Sequence, residues 1–123
     1  MIKRYIKYKS GYKYQLVEKY QVKISLAPAD NIKTDFIELR TEGILIIKKG
    51  YAWDGPSGPN IDTPNFMRGS LVHDALYQLL RNELIKGKWR DEADEELRRI
   101  YRKDGMSKIY ARWVYIAVRK WGK

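Results

Sequence analysis

The amino-acid sequence predicts an α+β fold: an N-terminal antiparallel sheet followed by three helices packed mainly on one face. Three observations carry this. Residues 1–50 interleave Tyr, Val and Ile with basic groups at strand spacing. Residues 66–123 repeat apolar positions at helical spacing. Between them, residues 51–65 hold Gly55, Pro56, Gly58, Pro59 and Pro64, which shape an irregular loop instead of extending either pattern.

Over residues 2–26 the alternation runs through Ile2, Tyr5, Ile6, Tyr8, Tyr12, Tyr14, Leu16, Tyr20, Val22, Ile24 and Leu26, with Ser10-Gly11 marking a tight turn. Pro28 to Asn31 breaks it. Phe36, Ile37 and Leu39, then Ile44 to Ile47, give two further strands around Thr41-Glu42-Gly43, so an antiparallel meander is expected. After the loop, Asn65 is an N-cap residue type, and Met67, Leu71, Val72, Ala75, Leu76, Leu79 and Leu80 follow at helical spacing. A second helix is expected from about Arg90 to Lys103, opening on acids and closing on bases as the helix dipole favours. Gly105 suits its stop and Ser107 caps a third helix, whose buried face is predicted to be Ile109, Trp113, Ile116 and Val118.

With 123 residues the chain is read as one domain able to bury a core unaided. It has no cysteine, so neither disulfides nor thiolate metal sites contribute. No apolar run approaches membrane-spanning length and no signal-type segment follows Met1, so neither a membrane partner nor cleavage is expected. Net charge is +10 but uneven: residues 1–50 carry +6, 51–96 carry −4 and 97–123 carry +8. Such basic ends suit polyanions. Without zinc-knuckle spacing, a helix-turn-helix signature or an aromatic-basic RNA-binding strand, sequence-specific nucleic-acid recognition is not expected.

The segment YAWDGPSGPNIDTPNFMRGSLVHDALYQLLR, Tyr51 to Arg81, concentrates chemistry. A proline-braced loop bearing Trp53, Asp54 and Ser57 runs into a helix carrying His73, the single histidine, and Asp74. His73 shares a helical stripe with Tyr77, and Asp74 lines up with Arg81. The chain resembles a family of small proteins encoded by tailed bacteriophages and prophages. The resemblance rests on Gly50-Tyr51, Asp54-Gly55-Pro56-Ser57-Gly58-Pro59, His73-Asp74-Ala75-Leu76-Tyr77, and the later Arg90 and Asp94. It implies a phage origin and a place in the cytoplasm of the infected bacterial host or in the virion, and it implies no particular activity.

Four readings follow. Tyr51, Trp53 and Tyr77 as walls, with Asp54, Ser57, His73, Asp74, Arg81, Arg90 and Asp94 as polar contacts, suit a small anionic, nucleotide-like ligand. A phage protein of this kind, self-associating, would sequester a nucleotide signal of host defence, and no cofactor is called for. A hydrolase would use Ser57 as nucleophile, His73 as base and Asp74 or Asp94 to orient the imidazole. Asp54, His73, Asp74 and Asp94 are the metal-ligand candidates for a divalent cation. A virion or assembly component would need none of these roles.

Overall fold

The computed structural model describes residues 6, 8–9, 14–55 and 66–121. The chain consists of antiparallel strands followed by three helices packed together. It divides into two compact units, Met1–Gly55 and Pro56–Lys123.

Among the described residues, seven short strands build the first unit: β1 (Tyr8–Lys9), β2 (Tyr14–Leu16), β3 (Tyr20–Lys23), β4 (Ile32–Lys33), β5 (Ile37–Leu39), β6 (Ile44–Ile47) and β7 (Ala52–Trp53). They form two antiparallel sheets, ordered β1-β2-β7 and β3-β6-β5-β4, not the single meander expected from sequence. The cause lies after β6. Gly50 takes φ +96°, and Tyr51 N–H donates to the Lys48 carbonyl at 3.2 Å, so the chain reverses and pairs Trp53 with Tyr14 in β2. The β4 strand escapes prediction because two residues carry no periodicity. The Ser10-Gly11 turn lies outside the described residues.

The second sheet is in register through Tyr20↔Ile47, Val22↔Leu45 and Leu39↔Leu45. Alternation then fixes its buried side: Tyr20 and Val22 in β3, Ile37 and Leu39 in β5. In β6, Leu45, Ile46 and Ile47 are all buried, which fits a central strand covered on both faces. Gly43 closes the β5–β6 hairpin at φ +86°, and a Cβ there would lie 2.6 Å from the Ile24 carbonyl oxygen, so glycine is required on two counts.

The second unit contains α1 (Met67–Arg81), α2 (Arg90–Lys103) and α3 (Lys108–Trp121), with a 3₁₀ turn over Gly87–Trp89 leading into α2. Phe66 occupies the position before α1 without a side-chain cap, and Asn65 lies outside the described residues. Helices α1 and α2 approach closely at Gly69, where an added Cβ would sit 2.5 Å from the buried Tyr101 ring. Arg68, 3 % exposed, adds a two-pronged ion pair to Asp104, with Nε at 3.1 Å from Oδ2 and Nη2 at 2.9 Å from Oδ1.

The α2–α3 contact buries Leu97, Tyr101, Met106, Ala111 and Val114. Ser107 caps α3 as expected, accepting the Tyr110 N–H at 3.1 Å. The buried face of α3 differs from the sequence expectation. Ile109, Trp113 and Ile116 are 73 %, 65 % and 42 % exposed, while Ala111 and Val114 face inward with Val118 packed beside them. Two overlapping apolar stripes run along this helix, and α2 takes the one whose small Ala111 lets the backbones approach.

Candidate functional site

The candidate site is built by the three helices around Asp94, which has no exposed surface. A carboxylate at that depth is tolerated only if its oxygens are satisfied. Oδ1 lies 2.7 Å from His73 Nε2 and 2.6 Å from the Tyr77 hydroxyl, both from α1, and Oδ2 accepts Arg119 Nη1 of α3 at 3.0 Å. Spacing along α1 explains the first pair. His73 and Tyr77 are four residues apart on one helical face, and their ring centroids stand 4.2 Å from each other.

A second layer locks the first. Arg90 Nε donates to the Tyr77 oxygen at 3.1 Å, and its Nη2 donates to the carbonyls of Val118 and Arg119, each at 3.1 Å. Those carbonyls belong to the last turn of α3, where no intrahelical donor follows, so Arg90 caps that helix from α2. Arg119 also pairs with Asp91 through Nε at 3.0 Å.

Charge states and donor directions follow from this geometry. Burial alone would push the Asp94 carboxyl up, but hydrogen bonds from His73, Tyr77 and Arg119 hold it below the ordinary carboxylate range. Ionised, it can only accept. Tyr77 is pushed up to about 12 by burial and by the neighbouring carboxylate, so its hydroxyl keeps its proton and donates it to Asp94. His73 must likewise donate through Nε2. In the neutral imidazole that leaves the lone pair on Nδ1. The His73 side chain is 11 % exposed, and among the described residues Nδ1 has no hydrogen-bond partner. The arrangement therefore holds one imidazole rigidly by one nitrogen and presents the other.

Of the residues singled out from sequence, the structure brings together His73, Tyr77, Arg90 and Asp94. Asp74 points elsewhere on α1: it is partly exposed, and its charge adds to burial in raising the Tyr101 hydroxyl. Arg81 is exposed in the last turn of α1. Tyr51 and Trp53 belong to the strand unit, 5 % and 2 % exposed, with Trp53 stacked at a tilt on Tyr14 at 5.9 Å. Asp54 is exposed at the end of that unit, and Ser57 lies outside the described residues. Among the four metal-ligand candidates the His73–Asp94 contact is observed, and no group of three or more His, Asp or Glu residues able to hold a metal occurs among the described residues.

Arg119 was missed. At the end of a helix it reads as a dipole complement, and nothing in the spacing links it to a carboxylate 25 positions earlier. No family model, curated protein or solved structure matches the chain, so the site rests on its own geometry.

Proposed function

We propose that the protein binds a small anionic, nucleotide-like ligand, with His73 Nδ1 as the anchoring atom. The observation that carries this reading is an imidazole fixed at Nε2 by a buried carboxylate 2.7 Å away, with no described partner on its second nitrogen. Neutral, Nδ1 accepts a hydrogen from a ligand hydroxyl or amine; protonated, it donates to a phosphate oxygen. The net charge of +10 favours anions at long range. Arg90 serves differently from the sequence expectation, and Arg119 acts beside it. Their guanidinium groups are taken up by protein acceptors, so they hold the imidazole's frame and do not grip phosphate. A phage or prophage origin, and sequestration of a host-defence nucleotide in the infected cell, complete the reading and rest on the sequence motifs.

A second reading is favoured by the same contact. A carboxylate-oriented imidazole is also how a general base is held, and a hydrolase would use Nδ1 to take a proton from a hydroxyl or water. One experiment separates the two. Purified protein is incubated with cyclic and ADP-ribose-type nucleotides, washed and heat-denatured, and the released molecule is analysed. Intact nucleotide retained by the native chain and lost in His73→Ala supports binding. A chemically altered nucleotide establishes hydrolysis, and no retention under any condition removes both.

A further inference from the structure

We infer that the outer face of α3 docks an acidic amphipathic helix of a partner protein. Ile109, Trp113 and Ile116 recur at the spacing of one helical face and are 73 %, 65 % and 42 % exposed. Over seven residues they form a seam of about 10 Å along the helix. Solitary exposed apolar residues are ordinary, whereas three large ones in line mark an interaction surface. Beside the seam runs a groove of about 480 Å³ lined by Arg98, Lys108, Ile109, Arg112, Tyr115 and Ile116.

The charges select the occupant. Three of those six lining residues are cations and none is an acid. Arg98 faces Glu95 at 3.6 Å and lies over the Tyr115 ring, but Lys108 and Arg112 have no ion-pair partner among the described residues. An occupant must bring apolar side chains to the seam and carboxylates to Lys108 and Arg112. A helix with apolar groups at i, i+4 and i+7 and acids flanking them meets both needs.

Other occupants fit less well. A second copy would set Lys108 and Arg112 against their own kind within a segment carrying +8 over residues 97–123, so the self-association expected from sequence is not what this face selects. Single-stranded nucleic acid would use the cations and Trp113, but branched aliphatic side chains offer no stacking face for Ile109 and Ile116. A membrane surface rewards extended apolar area, and three side chains beside a concave, cation-lined groove supply little.

The test is a fluorescence-anisotropy titration of the full chain. The probe is a labelled helical peptide with Leu at i, i+4 and i+7 and Glu at the flanking positions. Controls are the same peptide with Lys replacing Glu, a scrambled Glu peptide, and vesicles of phosphatidylglycerol with phosphatidylcholine. The Glu peptide binds saturably and with one-to-one stoichiometry, the Lys and scrambled peptides at least about tenfold more weakly, and Trp113→Ala costs about tenfold or more. The double variant Lys108→Glu with Arg112→Glu, checked for unchanged helical content, reverses the preference to the Lys peptide. Equal binding of the Glu and Lys peptides overturns the proposal, as does no saturation, tighter binding to vesicles, or a dimer in sedimentation that Trp113→Glu abolishes.

Discussion

The two units bury different kinds of side chain. In the strand unit the buried residues are apolar, from Leu16 to Trp53; in the helical unit Arg68, Ser70, His73, Asp94 and Glu96 join them. An apolar core gains stability from area removed from water and is indifferent to pH. Buried charges are costly unless every oxygen and nitrogen is matched, so their presence, among the described residues, in the helical unit alone separates a scaffold from a region with chemistry. The contrast also says what should happen when either core is damaged.

The largest effect is expected at Asp94. Replacing it with alanine takes the acceptor from His73 and Tyr77 and leaves Arg119 only its pair with Asp91, and chemical denaturation should show a loss of about 3 to 5 kcal/mol. Leu39→Ala, in the strand unit at a site with no exposure, should cost about 2 to 4 kcal/mol through lost burial and a cavity. The two losses are similar in size and differ in kind. The Leu39 variant should keep the native pH profile, and the Asp94 variant should not.

That profile has two limbs. The Asp94 carboxyl lies below its ordinary value of 3.8 in the folded chain, so the unfolded state takes up the proton first. Its contribution is complete above the unfolded value and is lost as pH falls through the folded one. Tyr77 moves the opposite way, from 10.0 to about 12, so the unfolded chain releases its proton first. Stability from this group is complete below the unfolded value and declines between the two, by about 3 kcal/mol. Denaturation curves across pH should show Asp94→Asn reducing the acid limb and Tyr77→Phe reducing the alkaline one, of which buried Tyr101 keeps a part. Limbs undiminished by these changes would place the coupling elsewhere.

A smaller effect is expected at the α1–α2 crossing. Alanine is the better helix former at position 69 by about 1 kcal/mol. Its methyl group would meet the buried Tyr101 ring at 2.5 Å, and overpacking of that kind costs about 1 to 3 kcal/mol. Gly69→Ala should therefore destabilise modestly, and a gain in stability would show that the helices have room to part. The smallest effect belongs to Trp113→Ala, expected within about 0.5 kcal/mol because the side chain is 65 % exposed.

Trp113 also marks where the sequence was hardest to read. Periodicity identified α3 and its Ser107 cap, but two apolar stripes satisfy the helical period, and only packing on Leu97 and Tyr101 decides which turns inward. Local signals did well where the determinants are local: the β5–β6 hairpin at Gly43, and α2 from its acidic start to its basic end. The return of β7 to β2 was not legible, because pairing between strands distant in sequence leaves no trace in either strand's pattern. For the site, the rare residue type and the four-residue spacing pointed to His73 and Tyr77. The role of Arg90 as a cap on α3, and the part played by Arg119, depend on helices meeting in space.

The most direct test of the account is nitrogen NMR of the imidazole in uniformly labelled protein. His73 is the only histidine, so its two ring nitrogens are identified without assignment. In the neutral form a proton is expected on Nε2, coupled to the Asp94 contact, with a bare Nδ1 whose signal shifts when a nucleotide is retained. A proton on Nδ1 with a bare Nε2 would contradict it, because the imidazole could then not donate to the ionised carboxylate 2.7 Å away.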